Sequence, residues 1–395
     1  MTRVLTRPLT PPATAGEIFA LIRDGVVDTR SDVMRVTGLS RTAVTTRLAA
    51  LFASRLVVED DDGPSTGGRP PSRLRFDTQA GVVLAAAVGR SRTQLAVCDL
   101  GGEVLAAEDV DQEPGVAPGD LLPEVAKRLD RLLEQAGRER SEVRGIGASI
   151  PGTVDFDRGA SLDSPLMVGW DGVPLAPYLR DGLDVPVFVD NDVNVMALSE
   201  RSGHLERHRD VLFVKASTGL GAGIVAGGVL QRGALGAAGE LGHTKTPAAA
   251  DLECRCGDTG CLEAVAGGWA LVRDLRGQGR EVGHVRHLVD LAVSGDAEAR
   301  RLIRESGRRT GEVLAGAVNL LNPEAVVIGG DMARSYDSFV AGLRETLYGA
   351  ATALSTRELV ILPTTHGERS GVVGCASIVL EQVLSVDAVN RVVQA

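Results

Sequence analysis

The sequence predicts an α/β body of two duplicated lobes carried behind an N-terminal winged helix-turn-helix domain. Three observations support that expectation. Residues 1–76 combine short amphipathic segments with eleven Arg against eight Asp and Glu, a local charge of about +3 on a chain whose total is -10. From residue 80 onward, apolar strands alternate with helical segments and end in Gly-rich turns. That alternation occurs twice, with the break near residue 190. The expected domains are therefore a head over 1–76, a first lobe over 80–190 completed by a C-terminal helix over 371–395, and a second lobe over 191–370.

Thr14-Ala15-Gly16-Glu17 has capping-box spacing and precedes the apolar set Ile18, Phe19, Leu21 and Ile22, which Gly25 stops. A second short helix fits Ser31 to Thr37, and Gly38 supplies the turn after it. Ser40 is a natural N-cap for a third helix to about Ser54, whose Val44, Leu48 and Leu51 fall on one face. The other face shows Arg41, Thr42, Thr45, Thr46 and Arg47, short hydroxyls and guanidiniums suited to base edges and phosphates in a major groove. Leu56-Val57-Val58, an acidic stretch Glu59 to Asp62, the run Gly67-Gly68-Arg69-Pro70-Pro71 and a return strand near Leu74 to Phe76 read as a wing, with Arg69 placed to enter a minor groove. Ser40, Arg41, Thr42, Thr45, Thr46, Arg47 and Arg69 are the expected DNA contacts.

In the body, 82–88 and 94–100 read as strands, 121–135 as a helix, 143–150 as a buried strand ending in Pro151-Gly152, and 185–189 as a strand ending in Asp190-Asn191-Asp192. The second set is 211–215, a Gly-rich hairpin over 218–228, and 325–328 ending in Gly329-Gly330. Gly371 to Leu384 reads as one long packing helix.

Composition bounds the function. Aromatics are 3% of the chain, which argues against a stacking binder of single-stranded nucleic acid. No apolar run approaches the roughly 18 residues of a membrane span, and Pro8, Pro11 and Pro12 replace a signal core, so a cytoplasmic protein with no membrane partner is expected. Only three basic residues are Lys, a bias that reads as compositional. Three of the five Cys fall within eight residues, which points to a metal in place of a disulfide framework. Cys254, Cys256 and Cys261, with His243 upstream, form a Cys3His set that fits a closed, structural Zn²⁺ shell. Asn191, Asp192, Glu240, His243 and Glu263 supply the acceptors and donors a polyhydroxylated ligand needs. Asn191 and Asp192 also fit a plain helix start at Val193. Trp170, in Gly169-Trp170-Asp171-Gly172, fits core or cleft equally, and His204, His208, His284, His287 and His366 show no partner pattern and are expected to be solvated or structural.

Three segments taken together, Val189-Asp190-Asn191-Asp192-Val193-Asn194, Gly239-Glu240-Leu241-Gly242-His243 and Cys254-Arg255-Cys256-Gly257-Asp258-Thr259-Gly260-Cys261-Leu262-Glu263, resemble the family of repressors, open reading frames and sugar kinases called ROK. With the winged head in front, the resemblance is to its repressor branch. It implies a two-lobed, sugar-kinase-like body of the actin/hexokinase type, and hexose contacts at Asn191, Asp192, Glu240, His243 and Glu263. It also implies a structural zinc on His243, Cys254, Cys256 and Cys261 that shapes the sugar site. Asp192 matches the kinases' general base. The kinases' first phosphate motif, Asp-x-Gly-Gly-Thr, is matched here by Ala87-Val88-Gly89-Arg90-Ser91. Ala87 removes the carboxylate that organises Mg²⁺ and Arg90 replaces a glycine that lets amides approach phosphate, so no catalysis is expected.

The function expected from the sequence is a DNA-binding repressor of carbohydrate genes, released from its operator by a monosaccharide and acting as a homodimer or tetramer. Two other classes stay open on sequence alone. A sugar kinase with an appended head would form ADP in response to sugar. A regulator answering to a protein partner would bind no sugar.

Overall fold

Thr14 opens the first helix by the reciprocal cap its spacing predicts: its hydroxyl accepts from the Glu17 N–H at 3.2 Å, and the Glu17 carboxylate accepts from the Thr14 N–H at 2.7 Å. The structure, a computed structural model, describes residues 13–60, 72–162, 167 and 169–394. Helices α1 (Ala15–Arg23), α2 (Arg30–Thr37) and α3 (Arg41–Ala53) are followed by strands β1 (Val57–Asp60) and β2 (Arg73–Phe76), which pair antiparallel. Ile18, Phe19, Val33, Val44, Leu48 and Leu51 are buried between the helices, and Phe19 meets Phe76 edge-on at 5.1 Å. The segment between β1 and β2, which carries Arg69 and the expected wing tip Gly67 to Pro71, lies outside the described residues.

The first lobe runs β3 (Val82–Val88), β4 (Arg92–Asp99), β5 (Val104–Asp111), α4 (Pro118–Gln135), β6 (Val143–Ile150), a small ribbon β7 (Val154–Asp155) and β8 (Ala160–Ser161), α5 (Ala176–Arg180) and β9 (Val187–Asn191). Then come α6 (Asp192–Ser199), β10 (Val211–Ala216), β11 (Leu220–Ala226), β12 (Val229–Gln231), α7 (Glu263–Ala266), α8 (Gly268–Gly277), α9 (Val285–Val293) and α10 (Ala297–Leu321). The chain closes with β13 (Ala325–Gly329), α11 (Tyr336–Ala350), α12 (Ala353–Thr356), β14 (Val360–Pro363), α13 (Ser370–Val383) and α14 (Val386–Val392). The two sheets have orders β5-β4-β3-β6-β9 and β12-β11-β10-β13-β14. Each has three antiparallel strands followed by two added in parallel, so the duplication read from the sequence is present strand for strand.

Helices α6 and α13 lie in the core shared by the two lobes, against Val83 and Ala85 of one sheet and Phe213 and Val327 of the other. Their approach depends on glycine. A Cβ on Gly374 would stand 1.8 Å from the Val195 carbonyl oxygen, and one on Gly147 would stand 1.9 Å from that of Cys375.

The C-terminal stretch differs from the single first-lobe helix expected over 371–395. Ser385 accepts from the Ala388 N–H at 3.2 Å and so caps a new helix, α14, after a 63° bend. The new helix packs on α1 of the head: the Gly16 N–H donates to Asn390 Oδ1 at 2.7 Å, and the Arg23 guanidinium donates to the Leu384 carbonyl at 3.2 Å. Trp170 is core, 1% exposed, with its indole N–H donated to the Val116 carbonyl at 3.0 Å.

Gly374→Ala is expected to destabilise by about 1–3 kcal/mol or more, because backbone cannot yield as a side chain would. A thermal melt checks this: a clear fall in the midpoint is expected, and an unchanged midpoint would mean that α6 and α13 can separate freely.

Candidate functional site

Between the lobes lies a cleft of about 300 Å³, built from the β3–β4 turn, the end of β6, the start of α6, the β10–β11 turn, the loop before His243, and the residues following β13. It brings together all five residues read as ligand contacts, Asn191, Asp192, Glu240, His243 and Glu263. They come from 191 to 263 in sequence: Asn191 ends β9 and Asp192 starts α6, Glu240 and His243 follow β12, and Glu263 starts α7, around a gap into which the ends of β6, β9, β10 and β13 open.

Their side chains are not equally free. Asn191 Oδ1 accepts from the Val193 and Asn194 N–H groups at 2.8 and 3.3 Å, and its amide donates to the Gly152 carbonyl at 2.8 Å. Asn191 is thus the N-cap of α6 as well as a cleft residue. Glu263 is buried, accepting from the Leu220 N–H at 2.9 Å and the Trp269 indole at 3.0 Å, so it props the β10–β11 turn from behind. Glu240 is 44% exposed on its open side, yet the surrounding protein raises its carboxyl pKa; Asp192 and Glu263 add to that rise and His243 opposes it. Asp192 lies 2.5 Å from Lys215 Nζ.

Lys215 was not a candidate from the sequence, where the scarce lysines read as bias. It ends β10, and only the fold brings it to Asp192. Two other cleft residues were also missed. Arg255, between two of the metal-set cysteines, lies over Trp269 at 4.9 Å and 3.6 Å from Glu263. Burial lowers its pKa, and the positive charge of Arg90 acts in the same direction. His284, read as solvated or structural, lines the cleft.

The described residues contain one cluster able to hold a transition metal: His243, Cys254, Cys256 and Cys261, with ligand atoms all within 4.8 Å of one another. The Cys256 and Cys261 sulfurs are 3.8 Å apart, and Cys254 Sγ is 3.9 Å from His243 Nδ1. Four ligands at Zn–S distances of about 2.3 Å put sulfurs about 3.8 Å apart in a tetrahedron, so the set fits that coordination. His243 faces the cysteines with Nδ1 and Glu240 with Nε2, at 3.7 Å, and is therefore shared between the metal set and the cleft.

On the head, the Ser40 hydroxyl is spent on its cap, accepting from the Ala43 N–H at 3.3 Å. Arg41, Thr42, Thr45 and Thr46 are exposed and Arg47 is half-buried; on α3 the three threonines lie away from the buried Val44, Leu48 and Leu51, and the two arginines flank that buried stripe. The Thr45 and Thr46 hydroxyls donate back to the Arg41 and Thr42 carbonyls, at 2.9 and 3.1 Å.

His284 joins the two lobes. Its Nδ1 accepts from the Arg286 N–H at 3.2 Å, capping α9, which leaves the proton on Nε2 to donate to Ser91 Oγ at 3.2 Å or Thr218 Oγ1 at 3.4 Å. Arg286 pairs with Asp111 across the same gap at 3.0 Å. Burial, helped by Arg286, lowers the His284 pKa below its ordinary 6.5; Asp331 and Asp111 oppose this. A depressed histidine favours the neutral form, so the stability that rests on it is present above about pH 6.5 and lost as pH falls below that. His284→Asn keeps a capping side chain without titrating. Its thermal midpoint should fall less between pH 7.5 and 5.5 than that of the wild type; parallel curves would remove the latch.

Comparison with known proteins agrees with this geometry. The ROK family model matches residues 83–382. A xylose repressor of Caldicellulosiruptor bescii is 28% identical over 382 residues, covering 93% of this chain and 95% of its own. The crystal structure of a ROK family transcriptional regulator, a homolog of the Escherichia coli MLC protein, superposes with a TM-score of 0.80 at 25% identity, over 96% of this chain and 98% of that one. A ROK family glucokinase of Streptomyces griseus, solved with glucose and AMPPNP, gives 0.65 at 28% identity, over 75% of this chain and 99% of that one. The chain belongs to the ROK family.

Proposed function

We propose that this protein is a sugar-responsive transcriptional repressor, in which a winged helix-turn-helix head holds operator DNA until a monosaccharide fills the cleft. One observation carries the reading. Similarity to the repressor and the regulator extends over the head, whereas similarity to the glucokinase covers only as much chain as the body. The head supplies the means of binding: exposed Arg41, Thr42, Thr45 and Thr46 on α3, joined by Arg47, with Arg69, which lies outside the described residues, expected from the sequence to add a minor-groove contact. One head matches one half-site, so a homodimer on a pseudo-palindromic operator follows.

In the cleft, Asp192, Glu240 and His243 present free lone pairs or N–H groups to sugar hydroxyls, while Asn191 and Glu263 hold the helix start and the turn that frame them. Asp192 is a ligand contact in this reading: Lys215 engages one of its carboxylate oxygens, and the other is open to a hydroxyl. Phosphoryl transfer depends on positioning and charge neutralisation, and the turn 87–91 offers neither a carboxylate for Mg²⁺ nor a second glycine. Release follows from a population shift: sugar favours one arrangement of the lobes, and α13 and α14 pass that preference to α1. In the cell such a regulator works in the cytoplasm, and no single helix among the described residues is long and apolar enough to cross a membrane.

Zinc is the ion assigned to His243, Cys254, Cys256 and Cys261, and when bound it supplies a closed tetrahedral shell with no position for water. The purified protein should contain one zinc per chain by elemental analysis, and Cys256→Ser should lose it together with thermal stability. Full stability in a metal-free wild type would dismiss a structural ion.

Fluorescence anisotropy on DNA from upstream of its own gene, at fixed salt, tests the function. Tight binding relieved by a sugar is expected. Arg41→Ala should weaken binding by about 1–3 kcal/mol. Folded Asp192→Ala and Glu240→Ala proteins should stay on DNA at sugar concentrations that release the wild type. Release of both at that concentration would refute the site.

A further inference from the structure

Almost every charge lining the cleft has a partner. Asp192 pairs with Lys215, Glu263 with Arg255 and Glu240 with His243, while Glu368 lies 3.4 Å from Arg334 and Asp331 accepts from the Ser217 hydroxyl. Arg92 is bound to Asp109, and Arg286 to Asp111. Arg90 is left over: among the described residues it has no ion pair and no hydrogen bond. Arg255 is only half satisfied. Its Nε is buried away from the cleft without an acceptor, while its part-exposed terminal amine stands 3.6 Å from Glu263, too far for a hydrogen bond, and so stays open to a ligand. Its guanidinium carbon lies 4.9 Å from the centre of the Trp269 ring, a cation–π contact that holds the group beside the cleft.

Two guanidiniums with unfilled donors in one cleft repel each other unless an anion joins them. A guanidinium fork matches a phosphate or carboxylate with two parallel hydrogen bonds, which a neutral hydroxyl cannot equal. The acids that suit sugar hydroxyls and the two arginines line one continuous space of about 300 Å³, which suits a single small ligand carrying both kinds of group.

We propose that the effector is an anionic monosaccharide, whose hydroxyls are held at Asp192 and Glu240 and whose phosphate ester or carboxylate is held by Arg90 and Arg255. The proposal rests on the sugar-effector reading and specifies its ligand class. It also gives Arg90 a purpose: the side chain that spoils a phosphate-binding turn provides a charge to hold an anion already attached to the sugar.

Calorimetric titration of the full-length, zinc-loaded protein tests it with matched probes: glucose, glucose 6-phosphate and glucuronate, N-acetylglucosamine and its 6-phosphate, and inorganic phosphate. An anionic sugar should bind at least about tenfold tighter than its neutral counterpart, and both Arg90→Gly and Arg90→Gln should reduce that ratio to about threefold or less. Whether the ester or the uronate leads names the anion. Neutral sugars binding as tightly as their anionic counterparts would overturn the proposal and leave the sugar reading intact. A ratio preserved in both Arg90 variants would overturn it as well. Failure of every sugar, neutral or charged, would remove the sugar reading and the proposal together, and binding of inorganic phosphate as tight as that of the ester would show an anion site with no sugar specificity.

Discussion

The close crossing of α6 and α13 is the constraint on which the rest of this molecule depends. Backbone meets backbone there, with Gly374 against Val195 and Gly147 against Cys375, so neither helix can shift without the other or without the first-lobe sheet. The first helix begins at Asn191 and Asp192, in the cleft. The second turns by 63° into α14, which is hydrogen-bonded to α1 of the head. A ligand that moves the start of α6 therefore presses on elements in direct contact all the way to the DNA-binding helices. The same packing explains why the C-terminal segment is divided: α13 completes the lobes and α14 leaves them to hold the head.

A second economy lies at His243. One ring nitrogen faces three cysteines and the other faces Glu240, so an ion that orders the Cys loop also orients a cleft residue. The loop carries Arg255 between two of those cysteines, which places a guanidinium in the cleft by the same fold. Metal set, cleft acids and arginines are thus not separate features, because they share one loop and one histidine.

What was legible in the sequence is what the chain encodes over short distances. Thr14 and Glu17 announced their cap, and Ser40 announced its own. The cysteine spacing marked its cluster, and the strand-end Asn-Asp pair marked the cleft. The duplication into two strand–helix halves followed from repeated alternation, whereas the order of strands within each sheet came only from the structure. Partners distant in sequence could not be read. Lys215, on β10, meets Asp192 from 23 residues away, and His284 meets Ser91 from 193 away. Ser385 starts α14 by a visible cap, but nothing local says that Asn390 faces Gly16 of the head. Arg90 stood out only as a departure from a motif; that it has no ion pair or hydrogen bond among the described residues is a property of the fold.

If the cleft controls the head, binding at the two sites must be linked, and linkage is reciprocal. The most direct measurement is therefore calorimetric titration of the releasing sugar into the protein alone and into the protein saturated with operator DNA, at one salt concentration. The account predicts that operator weakens sugar binding by the same factor by which sugar weakens operator binding. Equal sugar affinity with and without DNA would contradict it, and would leave a sugar-binding body and a DNA-binding head that share a chain but not a mechanism.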